Sequence, residues 1–194
     1  MEAIKKIELN KIAKVVLISI LGTLLLTISA KIRIPFYPVP MTMQTFVVLF
    51  LGIGFGYKIG LATVSLYLLE GIFGLPVFAG TPEKGIGLIY FTGPTMGYLI
   101  GFLLAVYFSS YDFNKIIILN KYKKLWITFI VVFLQLIFSV SFIYILGLLW
   151  LGALIGWDKP IFELGAQPFL LAELFKILLL TTLYPWIIKI RKII

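Results

Sequence analysis

Long apolar stretches, separated by short polar or proline-rich segments, occupy most of the 194-residue chain. They are continuous, without the alternation of apolar and polar residues that is typical of a membrane β-barrel. A membrane helix needs roughly 17–25 mostly apolar residues. Six helices are predicted on this basis, over residues 12–30, 41–56, 59–77, 88–109, 125–154 and 168–188. The pattern therefore predicts an all-α integral membrane protein, a six-helix bundle that forms a single transmembrane domain over residues 1–194.

Composition supports a membrane protein and excludes most catalytic chemistry. Hydrophobic residues make up 61% of the chain and charged residues 13%, whereas soluble domains have about 25% charged residues. The absence of Cys and His removes thiol nucleophiles, histidine bases and most zinc or haem ligation. The chain also lacks a phosphate-binding loop that ends in Lys-Ser/Thr and a Gly-x-Ser-x-Gly turn. No enzymatic activity, cofactor or metal site is predicted.

The distribution of basic residues predicts an orientation. Twelve of the 17 Lys and Arg residues fall in the segments on one side of the predicted bundle. They are Lys5, Lys6, Lys11, Lys14, Lys58, Lys115, Lys121, Lys123, Lys124, Lys189, Arg191 and Lys192. Lys31, Arg33, Lys84 and Lys159 fall on the other side, and Lys176 lies within the sixth helix. Cytoplasmic loops carry the excess of Lys and Arg, so both termini are predicted in the cytoplasm of a multi-pass cell-membrane protein. The net charge of +9 is then explained by anionic lipid rather than nucleic acid.

The two predicted outer connections are stiff and apolar. The connection between helices one and two contains three prolines, Pro35, Pro38 and Pro40, which favour extended backbone. The connection between helices three and four is also rich in Gly, Pro and aromatic residues. Two interpretations remain open. These loops either cover a pocket as a lid, or anchor the protein at the interface through Phe36, Tyr37, Tyr90 and Phe91.

Two ionisable residues lie within the apolar sixth helix. Glu173 and Lys176 are three residues apart and therefore share one face of the helix. A charge at mid-bilayer costs roughly 2.5–3.5 kcal/mol on insertion scales. The pair is interpreted as a ligand site in an outward-facing pocket, as a structural ion pair, or as side chains that reach the interface. Glu70 is assigned either a structural or a site-supporting role, and Gln44, with Thr45, lies where an amide could reach a pocket.

Small residues recur every fourth position in three predicted helices. Gly93, Gly97 and Gly101 form one such series, Gly52, Gly56 and Gly60 a second, and Ser19, Thr23 and Thr27 a third. Such series allow helices to approach closely. Internal packing is predicted for the two glycine series, and docking of a second membrane protein is left open for the third.

Together these features describe a compact bundle with an outward pocket and no energy source of its own. Four segments then resemble, in order and spacing, the BioY family, the biotin-specific substrate-binding subunits (S-components) of energy-coupling-factor (ECF) transporters. The segments are VPMTMQTFVVLFLG (39–52), YLLEGIFGLPVFAG (67–80), GPTMGYLIGF (93–102) and PFLLAELFKILL (168–179). The family commonly has aspartate at the position of Glu173, and alanines four apart on helix one where this chain has Thr23 and Thr27.

The resemblance implies a specific function. It implies a six-helix S-component whose 1–2 and 3–4 loops cap a pocket, and which captures biotin with high affinity at the outer face and delivers it inward. It also implies a transmembrane coupling protein and two cytoplasmic ATPase subunits as partners. By motif position the expected ligand-binding residues are Glu173, Lys176, Gln44, Phe78, Gly80, Tyr90 and Gly93. An S-component for a different vitamin and a structural membrane subunit without a ligand are the alternatives.

Overall fold

The structure, a computed structural model, describes residues 2–111 and 125–193, with side chains described for 12–111 and 126–191. Six α-helices and one short β-hairpin make up most of it. They are α1 (Glu2–Lys31), β1 (Arg33–Ile34), β2 (Met41–Thr42), α2 (Gln44–Ile72), α3 (Met96–Ser109), α4 (Leu125–Ile155), α5 (Ile161–Gly165) and α6 (Leu170–Ile193). Two 3₁₀ turns, Gly87–Thr92 and Gln167–Phe169, precede α3 and α6. The basic residues predicted in the 4–5 loop, Lys115, Lys121, Lys123 and Lys124, lie outside the described residues.

Helix α2 reverses direction at Gly56. This residue has φ 78° and ψ 174°, values outside the helical region. A Cβ atom on Gly60 would lie 3.7 Å from Cα of Gly52, whereas residues eight apart in a straight helix are about 12 Å apart. Nε2 of Gln44 also lies 2.8 Å from the hydroxyl of Tyr67. Residues 44–55 and 57–72 are therefore two antiparallel helical arms, which correspond to the second and third predicted helices.

The ends of these arms differ from the predicted bounds for local reasons. The first arm begins at Gln44 rather than residue 41 because Met41 pairs with Ile34 in the β-hairpin. The second arm ends at Ile72 rather than residue 77 because Gly74 takes a positive φ of 91°. The N–H of Leu75 then donates to the carbonyl of Glu70 at 3.0 Å, a Schellman motif that terminates the helix.

The fourth predicted helix, 88–109, is divided in the structure. Residues Gly87–Thr92 form a 3₁₀ turn, and the α-helix begins only at Met96. The break lies at Gly93 and Pro94. Proline interrupts a helix there because it has no N–H to continue the helical hydrogen bonds. The result is a helix α3 of 14 residues.

Four segments of the described chain are long and apolar enough to cross a membrane. They are Ile12–Lys31, Gln44–Ile72, Trp126–Ile155 and Ile161–Arg191, and Met96–Ser109 is a shorter apolar helix. Helices α3 and α4 approach closely where the glycine series predicted contact. A Cβ atom on Gly101 would lie 2.6 Å from Cα of Ile143, and Gly97 faces the backbone of Leu146 in the same way.

A partly buried polar contact joins α1 to the second arm of α2. The hydroxyl of Thr23 donates to Glu70 at 3.0 Å, and Thr27 donates to the carbonyl of Thr23 at 2.8 Å. Glu70 therefore has a structural contact between helices. Thr23 is 2% exposed, so it faces the interior of the bundle. The opposite side of α1 is apolar and exposed, with Leu17, Leu21, Leu24 and Ile28.

The bundle has two distinct ends. The β-hairpin, the loop 73–95 and α5 lie at one end, called the loop end, where Tyr98 donates to the carbonyl of Gly165 at 2.8 Å. The Gly56 turn, the last residues of α3 and the last turn of α6 lie at the other end, called the turn end. There Arg191 donates to the carbonyl of Ser110 at 2.8 Å.

Candidate ligand cavity

A cavity at the loop end lies between the helices and the two loops. It has about 530 Å³ of empty space, a volume that includes the part open to solvent. Its lining residues come from the 1–2 connection, the loop end of the first arm, the loop 73–95, α3, α4, the 3₁₀ turn before α6, and α6 itself. They are Val39, Pro40, Met41, Thr42, Gln44, Thr45, Ala79, Tyr90, Thr95, Tyr98, Leu99, Phe102, Ile143, Tyr144, Phe169 and Glu173.

The cavity is mostly apolar, with a few polar groups that converge in it. Val39 and Pro40 close it from the 1–2 connection, while Leu99, Phe102 and Ile143 form its helical wall. Polar atoms come from a small set: Thr42, Gln44, Thr45, Thr95, Glu173 and the hydroxyls of Tyr90, Tyr98 and Tyr144. This arrangement suits a ligand with an apolar body and a polar group at a defined position.

Glu173 and Lys176 form a buried ion pair at the floor of this cavity. Nζ of Lys176 lies 2.8 Å from Oε1 of Glu173, and both side chains are 7% exposed. Lys176 also donates to the carbonyl of Thr42 at 2.6 Å and to the hydroxyl of Thr45 at 3.0 Å. An ammonium group has three N–H donors, so these contacts use all of them. Lys176 does not line the cavity, and it contacts Glu173 on the side away from the cavity.

One oxygen of Glu173 lacks a hydrogen-bond donor. Oε1 accepts from Lys176 and from the hydroxyl of Thr45 at 2.9 Å. Oε2 is buried and accepts no hydrogen bond from the described residues, although the hydroxyl of Tyr144 lies close to this carboxylate. Buried polar atoms are satisfied in the great majority of proteins, so an exception needs an explanation. Because Glu173 lines the cavity, the simplest explanation is a ligand that supplies an N–H or O–H group.

Gln44 belongs to a chain of hydrogen bonds beside the cavity. Its side-chain N–H donates to Tyr67 at 2.8 Å, and the hydroxyl of Tyr67 donates to the carbonyl of Val77 at 3.0 Å. The hydroxyl of Thr42 donates to Oε1 of Gln44 at 3.2 Å. This chain fixes the amide at the edge of the cavity and connects the first arm to the loop 73–95.

Aromatic stacking supports the loop side of the cavity. The ring of Phe78 stacks on that of Tyr90 with centroids 4.7 Å apart and meets Tyr67 edge-on at 5.2 Å. Phe78 is 1% exposed and lies behind the cavity wall, whereas Tyr90 lines the cavity. The hydroxyl of Tyr90 donates to the carbonyl of Ala79 at 2.8 Å, and burial raises the pKa of this hydroxyl. The hydroxyl of Tyr90 thus keeps its proton and its hydrogen bond to Ala79.

Lys31, at the end of α1, holds the loop 73–95 in place. Its ammonium group donates to the carbonyls of Pro76, Phe78 and Thr81 at 2.7, 3.1 and 3.1 Å, and to the hydroxyl of Thr81 at 3.0 Å. Arg33, just after it, forms an exposed 3.3 Å ion pair with Glu83 of the same loop. The two basic residues therefore connect the 1–2 connection with the 3–4 loop.

The predicted site residues divide into two groups. Glu173, Gln44 and Tyr90 line the cavity, together with Thr45. The remaining four do not line it. Lys176 supports Glu173, and Phe78 supports Tyr90. Gly80 has a positive φ of 82°, and the guanidinium group of Arg33 occupies the space that a side chain at this position would need. The carbonyl of Gly93 accepts a hydrogen bond from Trp150 at 2.9 Å. The assignment of these residues to ligand binding stays a prediction.

Sequence reasoning missed several aromatic residues of the cavity. Tyr98 lies within the third resembling segment and Phe169 within the fourth, so their motif positions were available signals. Tyr144 lies in an unbroken apolar helix where nothing distinguishes it from its neighbours. It is identified only by the packing of α4 against α3 and α6.

Comparisons with known proteins identify relatives of this chain. The BioY family matches residues 3–193. The probable biotin transporter BioY of Pyrococcus horikoshii is 31% identical over 164 residues, which cover 84% of this chain and 90% of that protein. The biotin transporter BioY of Thermotoga maritima is 32% identical over 155 residues, covering 80% and 84%.

A solved structure has the same fold. The crystal structure of the S-component for biotin from an ECF-type ABC transporter matches with a TM-score of 0.71 and 25% identity, over 94% of this chain and 93% of that chain. The family match and these relatives confirm the resemblance found in the four segments. The chain belongs to the BioY family.

Proposed function

We propose that this protein is the S-component of an ECF-type ABC transporter, which captures biotin at the outer membrane face and delivers it inward. The observation that carries the proposal is the unsatisfied oxygen of Glu173 in an apolar cavity. BioY proteins are transporters rather than enzymes, in agreement with the lack of catalytic motifs in the sequence. Biotin is the transported ligand and not a cofactor.

The chemistry of biotin matches the lining of the cavity. Its apolar bicyclic core suits the wall of Leu99, Phe102 and Ile143. Its ureido group carries N–H donors, and a carboxylate is a strong acceptor for them. Oε2 of Glu173 therefore receives a ureido N–H, while Lys176 and Thr45 fix the carboxylate through Oε1. In this arrangement Glu173 contacts the ligand and Lys176 positions Glu173.

The proposal also includes an architecture and partners. The two arms of α2 count as separate spans, so α1, both arms, α3, α4 and α6 form six transmembrane helices. The 1–2 connection and the loop 73–95 cap the cavity, since both contribute lining residues. A transmembrane coupling protein and two cytoplasmic ATPase subunits supply the energy. The exposed apolar side of α1 is available for the coupling protein.

Binding of labelled biotin to the purified protein tests the proposal. We expect roughly stoichiometric binding, and a loss of about ten- to a hundredfold in affinity for Glu173→Gln, because a hydrogen bond to a charged group contributes about 1.5–3 kcal/mol. Glu163→Gln is the matched control, since Glu163 is an exposed acid on α5 outside the cavity lining. Thiamine and riboflavin serve as competitors.

Three results would contradict parts of the proposal. Absence of biotin binding by folded protein would exclude biotin as the ligand. Displacement of biotin by another vitamin at equal concentration would assign a different specificity. Unchanged affinity in Glu173→Gln, with Glu163→Gln also unchanged, would retain biotin but exclude the role of Glu173.

A further inference from the structure

A second concave site lies at the turn end, on the opposite side of the bundle from the biotin cavity. It has about 860 Å³ of empty space, including its open side. Its lining combines three cations with aromatic and aliphatic side chains. The lining residues are Lys14, Val15, Phe55, Gly56, Tyr57, Lys58, Ile59 and Arg191. We call it the basic site.

The three cations come from three different helical elements. Lys14 belongs to α1, Lys58 to the second arm of α2 and Arg191 to α6. The described lining contains no Asp or Glu. An anion that enters the site interacts favourably with all three cations.

Arg191 is held in position at this site. A Cβ atom on Gly56 would lie 3.0–3.2 Å from three atoms of its guanidinium group, so only glycine leaves room for it there. Nη1 donates to the carbonyl of Ser110 at 2.8 Å, which uses one of the five N–H groups of a guanidinium. A fixed, planar guanidinium is suited to bind a phosphate group with two parallel hydrogen bonds.

The site lies where the apolar spans end. Lys14 is in the first turn of the apolar span Ile12–Lys31, and Arg191 is the last residue of the span Ile161–Arg191. Basic pockets between membrane helices at this depth bind lipid head groups. The apolar walls of Val15, Phe55 and Ile59 suit the glycerol and first methylene groups of a lipid, which a soluble anion lacks.

We infer that the basic site binds a phosphate group, supplied by the head group of an anionic phospholipid. The bound lipid bridges α1, the turn of α2 and α6. It therefore stabilises the turn end of the bundle, and it does so independently of biotin in the cavity at the loop end.

Lipid titration of the purified full-length protein tests the inference. Phosphatidylglycerol and phosphatidylcholine with the same acyl chains are added to protein in neutral detergent, and lipid retention by native mass spectrometry and the melting temperature are measured. We expect phosphatidylglycerol to be retained and to raise the melting temperature more than phosphatidylcholine does. Replacement of Lys58 or Lys14 by Gln should weaken retention about fivefold for each cation removed.

Variants and a competitor make the test specific. Lys159→Gln removes an exposed cation at the loop end and should leave phosphatidylglycerol retention unchanged. Arg191→Lys keeps the charge but loses the planar fork, and should weaken retention. Lys58 is exposed, so Lys58→Gln is expected to fold even if an Arg191 variant does not.

Competition by inorganic phosphate distinguishes the sources of the phosphate group. If inorganic phosphate displaces phosphatidylglycerol, the phosphate group alone is sufficient for binding. If it does not, and the preference for phosphatidylglycerol persists, the lipid is the source. Equal responses to both lipids, or an unchanged preference in the variant that lacks both Lys14 and Lys58, would overturn the inference.

Discussion

At the residue scale, Glu173 and Lys176 serve both the stability of the bundle and the cavity. Lys176 uses its three donors within the protein, and Glu173 uses only one of its oxygens. The structure therefore confirms the ion pair between the two side chains. The ligand-site interpretation stays a prediction, which the unsatisfied oxygen of Glu173 supports. The third is excluded, because both side chains are only 7% exposed and bonded to each other.

Replacement of Lys176 by Met should separate these two roles. The change leaves the carboxylate of Glu173 buried without its cation, and breaking a buried pair in this way costs about 3–5 kcal/mol. We expect a large loss of stability, measured by unfolding in detergent, together with loss of biotin binding. The variant with both Glu173→Leu and Lys176→Met should recover much of the stability, because no uncompensated charge remains, but it should not bind biotin.

A different outcome would change the assignment. If Lys176→Met binds biotin with unchanged affinity, the ammonium group does not position Glu173 for the ligand. Thr182→Ala is a suitable control on the same helix, since Thr182 is exposed and its hydroxyl donates to the carbonyl of Leu178 within that helix. It should change neither stability nor binding appreciably.

The sequence allowed the acidic and basic residues of α6 to be found, but not their partners. A charged residue within an apolar helix can be recognised from that segment of the sequence alone, because the cost of inserting a charge into lipid does not depend on which neighbours the helix has. The carbonyl of Thr42 and the carbonyls that accept from Lys31 carry no sequence signal, since every residue has a carbonyl. The role of Lys31 therefore required the structure.

At the element scale, the loop 73–95 is connected to the rest of the protein by a few specific contacts. Lys31 binds three carbonyls of the loop, the Gln44–Tyr67 chain reaches Val77, and Phe78 packs between Tyr67 and Tyr90. The position of the loop therefore depends on α1 and the second arm. This arrangement favours the lid interpretation over simple interfacial anchoring.

Replacement of Lys31 by Met should weaken the attachment of the loop 73–95 without touching the ligand. Its contacts act on the loop alone, and Lys31 is exposed. Biotin should therefore dissociate about two- to fivefold faster, because contacts of an exposed charge contribute at most about 1 kcal/mol. The dissociation rate is measured by displacement of labelled biotin with excess unlabelled biotin. Lys84→Met is the matched control, since Lys84 lies in the same loop and its Nζ donates no hydrogen bond to the described residues.

An equal acceleration in Lys31→Met and Lys84→Met would indicate a general effect of charge at the mouth of the cavity. An unchanged dissociation rate in Lys31→Met would show that biotin leaves without movement of this loop.

The helical elements themselves were largely predictable, and the differences have local causes. Length and apolarity identify a span wherever it continues, so the bounds of α4 (Leu125–Ile155) differ by one residue from those predicted. A single glycine that reverses a helix was harder to interpret. Gly56 belongs to a regular series with Gly52 and Gly60, and the same spacing serves either helix packing or a tight reversal. The predicted bounds 41–56 and 59–77 placed the reversal correctly, whereas the near contact between Gly52 and Gly60 across it required the structure.

At the scale of the whole molecule, the two ends have different chemistry. The loop end has the apolar cavity, which the 1–2 connection and the loop 73–95 help to line. The turn end has the basic site with Lys14, Lys58 and Arg191. In the sequence, twelve of the 17 Lys and Arg residues fall in the segments predicted on that same side. Retention of basic segments in the cytoplasm determines the orientation of multi-pass proteins. The cavity should therefore open to the outside, where an uptake protein meets its ligand.

This orientation can be measured directly because the chain contains no cysteine. Single cysteines are introduced at Asp158, an exposed residue of the loop end, and at Lys58, an exposed residue of the turn end. In intact cells a membrane-impermeant maleimide should label Asp158→Cys and not Lys58→Cys, and permeabilisation should make both react. The unmodified chain should remain unlabelled throughout. Labelling of Lys58→Cys alone in intact cells would reverse the orientation, and the cavity would then face the cytoplasm, where it could not capture biotin from outside.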